Sequence, residues 1–366
     1  MMEIKIEKYI KSYLKNYTIG QKVWNYEDGC VLKGCIDIYK VTKEQSYLDY
    51  VIDYMEKYID QDGNISRYSA KEYNIDSISS GKVLFFLYDE TGNEKYMIAI
   101  KKLMKQLESH PRTKSGSFWH KNIYPNQIWL DGLYMAQPFY MTYETRINNK
   151  MNYGDILNQF KNVKKYLFDQ DKKLYYHAYD ESKEQPWANQ ETGQSPNFWI
   201  RAMGWYMMSL IDTMDEMSVE IFEDYKYYES LFKEAIAGIL LYQDPKTRLF
   251  YQVIDQGSRE GNYVETSGSL MIGYSILKGC RLGVLQKEKY QRIGQEIIES
   301  IAEHKLVEKG EDLHLIDICS VAGLGPGNKR DGSFLYYISE PITKDDPKAS
   351  GILLMAYAEL LLLETE

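Results

Sequence analysis

Two kinds of helical pattern alternate along the 366 residues, and this alternation most constrains the fold. One kind is amphipathic. In YKVTKEQSYLDYVIDYMEKYI, starting at Tyr39, residues Tyr47, Leu48, Val51, Ile52, Met55, Tyr58 and Ile59 follow helical spacing and leave a charged opposite face. The unit repeats as YDETGNEKYMIAIKKLMKQLE from Tyr88, with Tyr39/Tyr88, Thr42/Thr91 and Tyr47/Tyr96 at a constant offset. The other kind is poor in charge and rich in small residues, as at 77–88, 132–142, 202–211, 266–282 and 350–363. A helix apolar on most of its surface is buried. Buried stretches begin near Glu27, Asp76, Asp131, Arg201, Glu265 and Ala349, and amphipathic ones lie near 4–17, 46–59, 94–107, 153–167, 224–242 and 287–304. This order predicts an all-α protein, an (α/α)6 barrel of inner and outer helices forming a single domain over 1–366. An open superhelical solenoid competes, but its units are usually regular and these are not. Polar turns at 61–64, 170–173 and 243–246, the latter two followed by LYYHAY and LFYQVI, predict short hairpins after outer helices.

The formal net charge of −9 argues against broad nucleic-acid binding. The charged, amphipathic start has no secretory pattern, and the longest apolar run is too short for a bilayer and contains Glu359. Cys30, Cys35, Cys280 and Cys319 form no CxxC pair and read as reduced thiols, so a cytoplasmic protein is expected. No metal-site spacing, phosphate loop or dinucleotide fingerprint is present, and no cofactor is expected. Residues 323–334, GLGPGNKRDGSF, read as a rigid loop over the barrel mouth.

All six tryptophans, Trp24, Trp119, Trp129, Trp187, Trp199 and Trp205, fall just before or in the first turns of buried stretches or in the loops leading to them. In a barrel these N-termini share a rim, so the indoles should gather at one mouth and stack on sugars. Packing of large loops is the plainer account of any single one. Polar residues open the same helices: Asp76 in NIDSISSGK, Asp131 in WLDGLYMA, Arg201 in WIRAMGWY and Glu265 in YVETSGSL. Helix capping would explain the acids. Arg201 opposes the helix dipole and needs a partner, either a structural carboxylate or a substrate carboxylate. Asp76 and Asp131 open consecutive inner helices; as neighbours, one would have a raised pKa and could donate a proton. His120 and His177 flank this rim.

WLDGLYMAQPF, SPNFWIRAMGW, YVETSGSLMIGYSILKGCRLG and GPGNKRDGSFLYYISEPITKDDPKASG occur in this order and resemble glycoside hydrolase family 105, the unsaturated rhamnogalacturonyl hydrolases, relatives of the family 88 unsaturated glucuronyl hydrolases. The resemblance runs from about Trp24 to the C-terminus. It implies an (α/α)6 barrel, a catalytic Asp131, a second aspartate at Asp76, and a uronate subsite of His120, His177 and Arg201 with Trp129, Trp199 and Trp205 close by and Tyr26 at its floor. The implied partner is an unsaturated pectin (rhamnogalacturonan) oligosaccharide left by a polysaccharide lyase. Asp131 would protonate C4 of its terminal sugar and then activate water at C5, with no cofactor. One departure, Ala202-Met203 where Gly-Asn is common, would reshape the pocket beside Arg201. Two rival readings are a glucuronyl hydrolase acting on another lyase product and a conventional inverting glycosidase using Asp76 with Asp131 or Glu265. A non-catalytic helical binding module is the third.

Overall fold

The computed structural model describes residues 2–17, 24–310, 312–325, 327 and 329–365. Among them the outer helices are α1 (Met2–Asn16), α3 (Gln45–Tyr58), α5 (Glu94–Ser109), α7 (Tyr153–Leu167), α9 (Phe222–Leu240) and α11 (Lys287–His304). The inner helices are α2 (Tyr26–Thr42), α4 (Lys82–Thr91), α6 (Leu130–Arg146), α8 (Ile200–Glu216), α10 (Thr266–Arg281) and α13 (Pro347–Thr365); a short α12 (Phe334–Ser339) lies between α11 and α13. A 3₁₀ turn, Ile75–Gly81, leads into α4.

The inner helices form a closed ring: α2 packs on α4 and its 3₁₀ turn, that turn on α6, α6 on α8, α8 on α10, α10 on α13, and α13 back on α2. Closure removes the open solenoid and makes the fold an (α/α)6 barrel. Glycines allow the closing contact. A Cβ on Gly351 would lie 2.5 Å from the Cys30 carbonyl carbon, and one on Gly34 would lie 2.4 Å from Leu354 Cβ. Only hydrogen fits where these two backbones meet.

The repeat seen in sequence is a repeat of helix ends. Thr42 Oγ1 donates to the Ile38 carbonyl and accepts from the Glu44 amide; Thr91 Oγ1 does the same with Leu87 and Asn93. Lys43 and Gly92, both left-handed, close the two helices onto the Tyr39 and Tyr88 carbonyls. These devices satisfy the last helical carbonyls and set the turn to the next outer helix.

The expected hairpins are smaller than the sequence suggested. The first is one bridge, Ile59 to Ile65, turned by Gly63 at φ +65°. The second pairs β2 (Phe168–Asp169) with β3 (Leu174–Tyr175). At the third, the Asp244 amide donates to the Leu249 carbonyl, and no named strand forms there among the described residues. A pairing absent from the sequence reading is decisive for the site: β1 (Gln127–Trp129) runs antiparallel to β4 (Ala178–Asp180), with Trp129 opposite Ala178. Two further pairs, β5 (Leu306–Lys309) with β6 (Asp312–Leu315) and β7 (Ile318–Cys319) with β8 (Ile342–Thr343), brace the later loops.

Candidate active site

The N-terminal ends of the inner helices surround a cavity that eight of the nine expected residues line: Tyr26, Asp76, His120, Trp129, Asp131, Trp199, Arg201 and Trp205. The ninth, His177, is fully buried behind Asp131, with Nε2 3.2 Å from Asp131 Oδ2. A roomier cavity sits at the opposite end, where helix C-termini meet, lined by Lys33, Lys40, Lys82, Asp212 and Lys278 among others. Every candidate acid and base from the sequence lies at the first end.

Backbone pairing brings the pieces together. The β1–β4 ladder continues into a bond from the Leu130 amide to the His177 carbonyl, 3.0 Å, which fixes His177 beside the first turn of α6. His120 is tied on both sides: its amide donates to the Gln127 carbonyl, and its carbonyl accepts from Ile75, next to Asp76. A few main-chain bonds therefore set the spacing of Asp76, His120, Asp131 and His177.

Capping does not explain the two aspartates. Asn74 caps the 3₁₀ turn through the Asp76 amide, and α6 begins without a side-chain cap. Glu265 is the true cap. Its carboxylate accepts from Gly268 N, Ser267 Oγ and Cys319 N in full burial, and it does not line the cavity. That removes Glu265 as a catalytic base.

The carboxylates are held differently. Asp76 pairs with Lys121 at 2.6 Å and faces His120 Nε2 at 3.7 Å. Burial acts to lower the Lys121 pKa, but Asp76 outweighs it and holds the ammonium above its ordinary value. Burial acts to raise Asp131, but the charge of His177, hydrogen bonding to His177, His120 and the Asp131 amide together outweigh it, and the carboxyl lies below its usual range. The raised pKa expected of one carboxylate of the pair is not found at Asp131: two imidazoles face it, and Asp76 is compensated by Lys121. Asp131 Oδ2 and His177 Nε2 are close but not aligned, and neither has a well-aligned hydrogen-bond partner among the described residues. On its far side His177 Nδ1 meets Tyr337 Oη at 2.8 Å. This bond selects the imidazole tautomer presented to Asp131.

Arg201 is almost wholly buried. Its guanidinium donates to Ser267 Oγ at 3.2 Å, to the Cys319 carbonyl, and to the Ser320 carbonyl at 3.2 Å. Among the described residues no carboxylate lies within ion-pair distance of it, so oxygens of β7 and the α10 first turn supply the structural partner. Five N–H donors are present on a guanidinium, and these contacts leave two for a ligand.

Aromatic rings form the walls. His120 and Tyr124 lie parallel to Trp129 at 4.5 and 5.0 Å, and Tyr26 meets Trp205 edge-on at 6.1 Å. Only Trp129, Trp199 and Trp205 of the six indoles line the cavity. Trp24 is buried with its Nε1 on the Ser77 carbonyl, Trp187 is buried, and Trp119 is half-buried. The gathering of six is therefore corrected to three; the rest pack the loops. Ala202 and Met203 are buried away from the cavity, where Met203 Sδ meets the Tyr175 amide at 3.3 Å, so this departure does not reshape the pocket wall. Sequence reasoning missed Lys121, Tyr124, Tyr337 and Arg330. Lys121 directly follows His120, and Tyr337 and Arg330 lie in the quoted late motif.

Burial of histidines makes stability depend on pH. Burial holds His110 and His120 each down to about 4 from an ordinary 6.5, with Asp76 partly offsetting it at His120. Between these values the unfolded chain binds more protons, so the stabilisation is complete above the higher value and is lost as pH falls toward the lower. Lowering the pH from about 7 to about 5 is expected to cost roughly 4 kcal/mol of unfolding free energy from this pair. Urea denaturation at both values checks it; an unchanged midpoint would contradict it.

The family model of Glycosyl Hydrolase Family 88 matches residues 4–363. The structure superposes with a TM-score of 0.93 on a family 105 glycoside hydrolase from C. acetobutylicum ATCC 824, at 44% identity, covering 100% of this chain and 99% of that one. Protein Atu3128 of Agrobacterium fabrum is 37% identical over 240 residues, 63% of this chain and 99% of its own length. The unsaturated rhamnogalacturonyl hydrolase YesR of Bacillus subtilis is 22% identical over 313 residues, 84% of this chain and 85% of its own. With the closed barrel and its acid-lined mouth, these matches place the chain in the family 88/105 glycoside hydrolases, the unsaturated uronyl hydrolases.

Proposed function

We propose that the protein, as one catalytic domain over 1–366, removes the 4,5-unsaturated uronic acid from the non-reducing end of lyase-made rhamnogalacturonan fragments. Asp131 delivers a proton to C4, forming the C4–H bond with the electron pair of the double bond. The ring oxygen stabilises the cation left at C5. Asp131, now a carboxylate, takes a proton from water as that water bonds to C5. The hemiketal then opens and the leaving sugar is expelled. Acid and base are one residue at successive moments, so no acid–nucleophile pair at fixed spacing is required.

One observation carries this reading: of three candidate carboxylates, Asp131 alone lines the cavity with neither a lysine bonded to it nor a helix cap to satisfy, its neighbour being the His177 imidazole. An inverting pair would have to use Asp76, which is tied to Lys121, as its second member. His177 stands 3.2 Å from Asp131, and its tautomer is set by Tyr337. A bound uronate raises the cost of a negative Asp131 and moves the proton onto the carboxyl. Arg201 offers its two remaining donors to the uronate carboxylate, and Asp76 with His120 takes sugar hydroxyls. Tyr26, Trp129, Trp199 and Trp205 supply the apolar surface that sugar faces stack on.

The likeness to YesR, an unsaturated rhamnogalacturonyl hydrolase, supports the choice of rhamnogalacturonan. Four buried, free cysteines fit a cytoplasmic setting, and no described helix is long and apolar enough to cross a membrane. Ultraviolet absorbance of a lyase-made rhamnogalacturonan disaccharide tests the reading. The conjugated signal is expected to disappear with enzyme; persistence of that signal while saturated oligosaccharides are cleaved would establish the inverting glycosidase instead.

A further inference from the structure

Pro138 lies inside α6, so the carbonyl four residues earlier, on Tyr134, has no helical N–H to accept. The donor comes from the neighbouring inner helix. Lys82, the first residue of α4, places Nζ 2.9 Å from that carbonyl and 3.3 Å from the centre of the Tyr134 ring. The cavity at the far end of the barrel opens beside this junction, with Pro138, Lys82 and Phe86 in its wall. Its lining cations are Lys33, Lys40, Lys82, Arg146 and Lys278. Three of them are paired: Lys33 with Asp37, Arg146 with Asp89, and Lys278 with Asp212 and Asp215. Among the described residues no carboxylate lies within ion-pair distance of Lys40 or Lys82. A lysine at a helix C-terminus ordinarily offsets the dipole, which accounts for Lys40 in the last turn of α2 but not for Lys82 at the start of α4. Burial pushes the Lys82 ammonium down to about 7, with Asp212 acting against it. A buried charge ordinarily has a counter-charge. Burial and Asp215 hold Glu216, another carboxyl of the wall, above its ordinary value, which weakens it in that role.

We propose that this far-end cavity is a second ligand site, for a phosphate group, free or as the monoester end of a small molecule, held between Lys82 and Lys40. Two ammoniums on different helices act as point charges, which suits an anion with oxygens in several directions. A planar carboxylate is better met by an arginine fork, and Arg146 of this wall is already on Asp89. Lys82 keeps N–H groups beyond the one given to Tyr134. Lys40 is exposed, with its Nζ 5.2 Å from the centre of the Phe86 ring, so the site opens to solvent at the end opposite the catalytic cavity. Lys121 and Arg201, the cations on the catalytic residues' side, belong to the other cavity, so substitutions separate the two sites.

Calorimetric titration at fixed ionic strength tests the site, with inorganic phosphate and a hexose monophosphate as probes and chloride as the control anion. The wild type is expected to bind at least one probe and not chloride. Lys40→Gln should weaken that binding at least tenfold while its thermal melting stays that of the wild type. Lys82→Gln should weaken it as much, since its amide still donates to the Tyr134 carbonyl but carries no charge. Should that variant melt early, Lys40→Gln, at an exposed position, still decides the matter. The probe with the lower Kd identifies the form of the phosphate group. A wild type that binds neither probe overturns the proposal. So does binding that Lys40→Gln leaves unchanged, which would put the anion on Arg201 or Lys121 at the catalytic end.

Discussion

Asp131→Asn is expected to lower kcat by about 10³-fold or more, since proton transfer by a positioned side chain supplies 10²–10⁴ and this residue acts twice. The substitution keeps the shape of the α6 first turn and leaves the Tyr26, Trp205 and Arg201 surfaces in place. Substrate affinity, read by calorimetry on the inactive protein, should change by only a few-fold, because the amide still packs beside His177. An amide can neither give a proton to C4 nor take one from water. Turnover near the wild-type rate would remove Asp131 from the mechanism. Lost binding together with lost turnover would mean that the residue holds substrate rather than reacting with it.

Lys278→Met should have the largest effect on stability. At the far end of the barrel Lys278 Nζ lies 2.7 Å from Asp212 Oδ1, 2.9 Å from Asp215 Oδ2 and 3.2 Å from Tyr274 Oη, with Lys278 and Asp212 almost fully buried. Burial acts to raise both aspartates, but Lys278 outweighs it, leaving Asp212 below its ordinary value and Asp215 at about 2. Removing the cation leaves buried Asp212 with the Tyr274 hydroxyl on Oδ1, no counter-charge from Lys278, and an Oδ2 that already has no hydrogen-bond partner among the described residues. Breaking a buried pair from one side costs roughly 3–5 kcal/mol. Adding Asp212→Leu should recover part of that loss, since replacing both partners is far cheaper than orphaning one. A urea-melting cycle of the two single variants and the double variant checks this. Purely additive losses would show that the pair is not coupled.

The barrel was legible in the sequence because period and charge carry it. Alternating one-sided and all-round apolar helices permit little else, and the Thr42/Thr91 repeat marks true helix ends. The hairpins were less legible, because three-residue strands leave no periodic trace. Nothing in QIW marks a strand, yet it forms β1, and His177 lies between β3 and β4 rather than within one strand. Helix-start acids were ambiguous for a physical reason: Glu265, Asp76 and Asp131 look alike in one dimension, and of the three Glu265 turns its carboxylate onto the amides of its own helix start. Tyr337 is one of 34 tyrosines, and nothing local marks the one that meets His177. The tryptophan pattern was half informative, since proximity to a helix start places an indole near the mouth without aiming it inward.

The central claim is that Asp131 protonates C4 of a double bond rather than a glycosidic oxygen. It is tested most directly by running the reaction in heavy water and examining the released uronate by NMR. The account predicts deuterium at C4. A product with no deuterium at C4, released at the same rate, would contradict it.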